Sequence, residues 1–374
     1  MTELYIGLMS GTSLDGIDGV LVDFGGPGRD RLHILAHAHR PFDPALAAEL
    51  LALNRVGANE LHRAALAGNA LARGCAAVVE AVLAAGGTTR DRVRAVAAHG
   101  QTVRHRPREF DGTGYTLQLN SPALLSELCG IDVIADLRSR DLAAGGQAAP
   151  LVPAFHRAVF GRPGETVAVL NLGGIGNLTA LRADGSTIGF DCGPGNALLD
   201  HWCRLHTGQA YDDGGAWAGS GRVIDPLLER LRADPYFALA PPKSTGRDLF
   251  NPDWLQACLA SDGAAASPAD VQATLAELTA ACCAADVQAH AAGARVLLVC
   301  GGGAFNADLM RRLAVRLPGI DVMRTDARGL PADQVEACAF AWLARAFVRR
   351  ECANLPSVTG AAGPRVLGAL YPAG

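Results

Sequence analysis

The sequence predicts an α/β protein of two lobes that repeat one order of strands and helices. Three observations lead there. An apolar strand runs into a glycine-rich turn at Tyr5-Ile-Gly-Leu-Met-Ser-Gly-Thr-Ser13, at Val167-Ala-Val-Leu-Asn-Leu-Gly-Gly-Ile-Gly176 and at Val296-Leu-Leu-Val-Cys-Gly-Gly-Gly303. The order β-β-β-α-β-α-β can be read twice along the chain. The 374 residues, 49% of them apolar, exceed one comfortable hydrophobic core. A glycine turn lets backbone amides approach an anion with no Cβ in the way, which makes it a candidate phosphate cradle. A single such turn is usually only a tight turn. Three, spread over both halves, make nucleotide binding the first hypothesis.

In the first half, strands are expected at 4–9, 17–24 and 32–40, with Gly25-Gly-Pro-Gly28 as a breaker between the second and third. A proline-started helix follows from Pro44, then an alanine-rich helix over 59–85, a strand at 93–98, a helix at 122–129 and a strand at 131–135. The second half repeats the pattern. Strands are expected at 166–172, 177–182 and 187–190, with the turn Ala183-Asp-Gly-Ser186 before the last. A helix opens after Pro194-Gly-Asn196, a long helix lies within 268–292, and a strand follows at 295–300. A further helix, a short strand at 320–323 and a helix at 333–350 complete the half. This places a first lobe at 1–140 and a second at 141–354, with the tail 355–374 packing back on the first. The stretch 207–267, dense in Gly, Pro and Asp and containing Pro241-Pro-Lys-Ser-Thr-Gly246, escapes the scheme. It reads as a cleft rim, a lid, a subunit contact or an ordered surface excursion. Two similar lobes are expected to face each other across a central cleft that holds ligand.

Composition narrows the partners. Net charge is −4 and no basic run stands out, which argues against nucleic acid. Lys243 is the only lysine and follows two prolines, so there is no Walker-type Gly-Lys-Ser/Thr loop. The ten cysteines form no Cys-x-x-Cys pair, which speaks against zinc and for buried thiols in a reducing cytoplasm. No signal peptide is evident, and Glu80 interrupts the best apolar stretch before the ~18 residues of a membrane span.

Some site residues can be argued from chemistry alone. Gly11, Thr12 and Ser13 offer amide and hydroxyl donors at a turn between two strands, a suitable nest for β- and γ-phosphates. Gly301, Gly302, Gly303 and Asn306 stand where a strand hands over to a helix, and a helix N-terminus favours negative charge. Close helix–strand packing explains the same glycines. His99 and Gln101 follow the fourth strand of the first lobe, and Arg138, Asp141 and Gln147 follow its fifth. Open α/β sheets bind ligands beyond those strand ends.

Five motifs carry a closer likeness: Met9-Ser-Gly-Thr-Ser-Leu-Asp-Gly-Ile-Asp18, His99-Gly-Gln-Thr102, Asn171-Leu-Gly-Gly-Ile-Gly-Asn177, Phe190-Asp-Cys-Gly-Pro-Gly-Asn196 and Gly301-Gly-Gly-Ala-Phe-Asn306. Together they resemble the anhydro-N-acetylmuramic acid kinase family, within the acetate kinase, sugar kinase, actin and heat-shock ATPase superfamily. The resemblance covers nearly the whole chain. It implies two actin-like (ribonuclease H-like) lobes, a cytoplasmic homodimer, and ATP with Mg2+ as cofactors. The implied reaction opens the 1,6-anhydro ring of 1,6-anhydro-N-acetylmuramic acid with water and phosphorylates O6, in peptidoglycan recycling and amino sugar catabolism.

The resemblance also implies roles. ATP would be held by Gly11, Thr12, Ser13, Leu14, Asp15, Gly16, Ile17 and Asp18, by Asn171, Gly173, Gly174 and Gly176, and by Gly301, Gly302, Gly303 and Asn306. Asp191, ending a strand before Cys-Gly-Pro-Gly, would be the general base; read from its position alone an Asp at a strand end is usually structural, here a helix N-cap, although Asn196 is nearer that helix. Glu336 would be a second carboxylate oriented to the sugar or its water, where residue type alone suggests a helix-dipole partner. His99, Gln101, Arg138 and Asp141 would meet the sugar, with Arg138 suited to a lactyl carboxylate or to an ordinary salt bridge. Where the wider superfamily carries Asp-x-Gly in both hairpins, this chain has Met9 and Asn171. Magnesium would then rest on ATP oxygens, water and other carboxylates, Asp15 or Asp18 among them, and no metal ligand is assigned. Two other readings keep the fold: a kinase for another sugar or a small carboxylate, and a nucleotide-switched scaffold.

Overall fold

The computed structural model describes residues 2–11, 13–26, 32–246, 248–260 and 266–374. Its contacts divide the chain into two compact units, Met1–Val159 with Gln334–Gly374, and Phe160–Asp333.

The first unit contains β1 (Leu4–Met9), β2 (Gly16–Asp23), β3 (His33–Pro41), β4 (Val93–Ala98), β5 (Gln101–Pro107), β6 (Gly114–Leu119) and β7 (Val133–Ala135). β1, β2 and β3 form an antiparallel meander, and β4 and β7 add parallel strands beyond β1. The last strand, Ala369–Tyr371, closes the sheet antiparallel to β7. β1 is buried along nearly its whole length because helices cover both faces of the sheet. The helix Glu60–Ala85 sends Leu71, Cys75, Val78 and Val82, spaced at helical period, into one cluster with Leu8, Ile17 and Leu21. Length and apolar composition alone would let this helix cross a membrane. That departs from the sequence expectation, but its apolar stripe is the core of this unit.

The helix Val335–Val348 lies against β1, so closely that a Cβ at Gly7 would overlap the carbonyl oxygen of Ala337. That contact explains why glycine interrupts an otherwise bulky apolar strand. It also shifts the division of the chain. The sequence assigned 335–348 to the second lobe and drew the boundary at 140/141, whereas packing on β1 draws this helix into the first unit. The ribbon β5–β6 was not foreseen either, because Gln101–Pro107 is polar and lacks the apolar alternation of a half-buried strand. Of the turn at 25–28, residues 27 and 28 lie outside the described residues.

The second unit contains β8 (Val167–Leu172), β9 (Ile175–Leu181), β10 (Thr187–Pro194), β11 (Val296–Cys300) and β12 (Asp321–Arg324), in the order β10-β9-β8-β11-β12. β8, β9 and β10 are antiparallel, and β11 and β12 are parallel to β8. This matches β3-β2-β1-β4-β7 in order and sense, so the actin-like lobe occurs twice. The helix Pro268–His290 is buried over most of its circumference, packed on β9 and β10 and against the helices Asn196–Thr207, Ala216–Ser220, Asp225–Arg232 and Ala307–Arg316. The excursion 207–267 is ordered where described. Its helices Asp225–Arg232 and Pro252–Leu259 bury Leu227, Leu231 and Leu255 beside Trp202, Tyr236 and Phe250.

Gly7→Ala places a methyl group on helix backbone that no rotamer change can clear. It is expected to lower stability by about 3 kcal/mol, read as an earlier midpoint in urea unfolding. An unchanged midpoint would show that the helix can lift off β1 at no cost.

Candidate active site

In the first unit the chain turns between β1 and β2 at Ser10–Asp15. Leu14 holds a left-handed backbone (φ 59°), uncommon for a residue with a side chain. Its amide donates to Gly11 O at 3.3 Å, and its side chain packs beside Leu50, Leu53 and Val103. The β4–β5 junction braces the turn from below. Gln101 Nε2 donates to Gly11 O (3.1 Å), and Ser10 Oγ donates to Gly100 O (3.2 Å). Ser13 Oγ donates to Asp15 Oδ1 (2.7 Å), and both residues are exposed. Thr12 lies outside the described residues.

The turn within the run 11–18 ends there, because β2 begins at Gly16. Ile17 points into the hydrophobic cluster, and a Cβ at Gly16 would overlap the Arg40 carbonyl of β3, so neither presents a side chain to nucleotide. Asp18 is engaged across the sheet by His37 Nε2 (3.3 Å) and His39 Nδ1 (3.0 Å). Both contacts fall on Asp18 Oδ1.

His99, Gln101 and Arg138 do come together with the first turn. His99 is buried, and Arg138 donates to its Nε2 from Nε (3.1 Å) and Nη2 (3.0 Å) while Nη1 donates to Ala148 O (2.6 Å). Burial, and then the Arg138 guanidinium, push the His99 pKa down to about 3, so the ring is neutral. The backbone of Ser10 and Gly100 hydrogen-bonds to the His99 ring, and Gln101 Oε1 is buried with no hydrogen-bond partner among the described residues. His99 packs on Phe340 with ring centroids 4.8 Å apart. Glu336 lies four residues before Phe340, in the first turn of Val335–Val348 and on the same face. Asp141 belongs elsewhere. It is fully buried, and its carboxylate accepts from Ala148 N (2.9 Å), Asn354 Nδ2 (2.7 Å) and Thr359 Oγ1 (2.8 Å). It organises the 141–148 loop and offers no surface to a sugar, which corrects its assignment as a substrate contact. Gln147 is tied to the same region, its amide donating to Thr359 O at 2.7 Å.

In the second unit the β8–β9 turn and the late glycine turn are one packed feature. Gly301 has φ 78°, and a Cβ there would overlap Asn171 Oδ1; one at Gly303 would lie 2.6 Å from Leu172 Cβ. Asn171 is buried beneath this contact, with Cys300 Sγ 3.8 Å from its Oδ1. The amides of Asn196 and Ala197 donate to Gly173 O (2.8 Å) and Gly174 O (3.1 Å), seating the helix Asn196–Thr207 on the turn. Asn196 is not an N-cap; its Nδ2 donates to Leu172 O at 3.0 Å. Asn306 is one, its Oδ1 accepting from Leu309 N (3.0 Å), so that oxygen is not open to an adenosine. Gly176 pairs with Gly193 inside the sheet, and Gly302 opens the single turn Gly302–Phe305.

Asp191 stands inside β10, not at a strand end, since the strand continues to Pro194. The register with β9 shifts between Asp191 and Gly193, a bulge of the kind that re-aims a side chain. Asp191 Oδ2 accepts from Thr245 N (2.9 Å), its amide donates to Lys243 O (3.2 Å), and its carbonyl accepts from Tyr236 Oη (2.6 Å). Sequence reasoning missed Tyr236, Lys243 and Thr245 as parts of the site. The available signal was the chain's one lysine, set between two prolines and Ser-Thr-Gly.

Comparison with known proteins places these features in a lineage. The model of the family described as Anhydro-N-acetylmuramic acid kinase matches residues 3–373. The chain belongs to the anhydro-N-acetylmuramic acid kinase family. An anhydro-N-acetylmuramic acid kinase from Variovorax paradoxus (strain S110) is 64% identical over 376 residues, covering 99% of each chain. One from Bordetella pertussis (strain Tohama I) is 60% identical, covering 99% of this chain and 96% of the relative. Among solved structures, an activator of 2-hydroxyisocaproyl-CoA dehydratase from Clostridium difficile with bound ADPNP aligns with TM-score 0.46 and 13% identity, over 94% of this chain and 96% of that one. The family match spans both glycine hairpins, Asp191 and Glu336.

The neutral histidines make a pH prediction. His99 and His156 both have pKa values lowered to about 3, in each case chiefly by burial. Below pH 6.5 the unfolded chain takes up protons there that the folded chain refuses, so stability is full above 6.5 and falls as pH drops towards 3. The slope is about 1.4 kcal/mol per pH unit for each histidine. Urea midpoints measured from pH 7 to pH 5 should fall accordingly, and His99→Gln should flatten the slope by one proton's worth. An unaltered slope in that variant would mean that His99 is protonated in the folded protein.

Proposed function

We propose that this chain is an ATP-dependent kinase that hydrolyses the 1,6-anhydro bond of 1,6-anhydro-N-acetylmuramic acid while phosphorylating O6, giving N-acetylmuramic acid 6-phosphate and ADP. Family membership supports the reaction class, and the observation that carries the mechanism is the Asp191 carboxylate, aimed by a strand bulge and fixed by a backbone amide. In this reading Asp191 takes a proton from water as the water oxygen bonds to the anomeric carbon. The bond from that carbon to the bridging oxygen breaks, and this oxygen becomes O6 and bonds to the γ-phosphorus of ATP. The bond from that phosphorus to the β,γ-bridging oxygen breaks, releasing ADP. General-base assistance contributes on the order of 10²–10⁴ in rate. The rest must come from positioning and from stabilising charge on the transferring group.

The turn Gly11–Asp15 of the first unit and the turn Gly173–Gly174 of the second are proposed to hold the nucleotide phosphates, and the backbone at Gly301–Gly303 the nucleoside. His99, Gln101, Arg138 and Glu336 are the proposed sugar side; Gln101 Oε1, buried without a partner among the described residues, is a group a bound ligand would satisfy. Among the described residues no three His, Cys, Asp or Glu side chains gather as a metal cage. Magnesium commonly uses one or two carboxylates together with phosphate oxygens and water. The exposed Asp15 fits the single-carboxylate role, and the ion would neutralise charge on the phosphates. The cytoplasm is the proposed compartment, consistent with ten free cysteines, and a homodimer the proposed assembly.

Asp191→Asn is expected to lower turnover at least 10²-fold while leaving ATP affinity within about threefold, since the base acts in the chemical step. Solvent ¹⁸O should enter the product at the anomeric carbon, and glucose and acetate should release little ADP. Label in the phosphate instead, or full turnover by the Asn variant, would sink the mechanism.

A further inference from the structure

The segment Pro241–Gly246 runs alongside β10 and meets Asp191 twice, through Lys243 O on its amide and Thr245 N on its carboxylate. The Lys243 side chain anchors the segment from the other side. Its ammonium is buried, 3.9 Å from Asp286 Oδ1 on the helix Pro268–His290, with the ring centroids of Tyr236 and Phe190 at 5.0 and 5.4 Å. Tyr236, one wall of that pocket, also donates its hydroxyl to the Asp191 carbonyl at 2.6 Å. Phe190 is the residue before Asp191 on β10. Two of the groups surrounding the ammonium are therefore tied to the main chain of Asp191.

Burying an ammonium is costly unless a partner compensates. Here a carboxylate and two aromatic faces share that task, and Lys243 and Asp286 line a cavity of about 320 Å³ with Cys192 and Phe237. Every other basic side chain apart from histidine is arginine, 32 of the 33 Lys and Arg residues. An ammonium is a compact point charge that fits between two rings and one carboxylate oxygen, whereas a guanidinium is a broad planar fork. The site thus selects the one cation that the chain uses nowhere else.

We propose that Lys243 is a positioning residue for the reaction. Its ammonium pins the 243–245 strap, and the strap's Thr245 amide fixes the plane of the Asp191 carboxylate and favours its ionised form. This rests on Asp191 being the general base. Among the described residues, the charged and titratable groups around Lys243 are Asp286, Cys282 and His290 of the helix Pro268–His290, Cys192 of β10, Tyr236, and Arg232 and Asp234 at the end of the helix Asp225–Arg232.

The test compares Lys243→Met, Tyr236→Phe and Asp191→Asn in the full chain, measuring ADP release with 1,6-anhydro-N-acetylmuramic acid and ATP across pH. Lys243→Met should lower kcat 10- to 100-fold, leave both KM values within threefold, and move the acid limb of the kcat profile to higher pH. Tyr236→Phe should lower kcat less and move the limb in the same direction. A packing role alone would lower the unfolding midpoint without moving that limb. If Lys243→Met keeps kcat within twofold with the limb unmoved while Asp191→Asn is inactive, the proposal fails and the general base stands. If Asp191→Asn is active, the general base itself fails and the proposal with it. Should Lys243→Met not fold, Tyr236→Phe decides, and an unmoved limb with unchanged kcat overturns the proposal.

Discussion

The second unit depends on one close approach, that of the backbone leaving β11 to the carbonyl of Leu172 at the end of β8. A Cβ at Gly301 would lie 2.8 Å from that oxygen and one at Gly303 3.1 Å, and the same oxygen accepts from Asn196 Nδ2 at 3.0 Å. Three elements far apart in sequence are thereby locked around one peptide group. Positive φ at Gly301 lets the chain leave the strand at this angle, and the absence of a side chain lets it lie on β8. The glycines that look like a phosphate signature are thus first a packing requirement. The amides and open backbone that would serve a nucleotide follow from the same packing.

This explains which parts of the fold were legible. The duplicated order of elements could be read because β1, β8 and β11 are apolar runs ended by glycine, and both patterns have direct physical causes in two-sided burial and tight exit. The placement of Val335–Val348 could not be read. Its sequence, apolar on most sides, specifies burial without specifying beside what, and only the missing side chain at Gly7 hints that a helix backbone must lie against β1. The ribbon β5–β6 was hidden for the opposite reason, because its strands carry Arg104, His105 and Arg106 where a core strand would carry apolar residues.

Within the site, motif membership proved a poorer guide than hydrogen-bond accounting. Met9–Asp18 reads as one motif, yet only its turn lies outside regular structure. Ile17 fills the core and Asp18 answers two histidines of β3, roles that the neighbouring strand assigns and that no local pattern reveals. Asn196 and Asn306 exchange expectations in the same way. Each is an Asn near the start of a helix; one ties down a strand end and the other caps, because in one case Gly195 already occupies the capping position.

The two carboxylate arrangements at Asp141 and Asp191 show where the distinction lies. Both residues accept a hydrogen bond from a backbone amide on a loop. Asp141 also takes the Asn354 amide and the Thr359 hydroxyl, is entirely shielded from solvent, and would leave the Ala148 amide without its acceptor if removed. Its chemistry is closed by the protein itself. Asp191 retains partial exposure, and its amide and carbonyl are both held from the main-chain side, which fixes where the residue sits, while its Oδ2 accepts from the strap. A carboxylate held by its backbone can be rigid and still meet a reacting group. One shielded from solvent as completely as Asp141 meets no reacting group, and that difference, invisible in the letters Asp and Gly, separates the catalytic candidate from the scaffold.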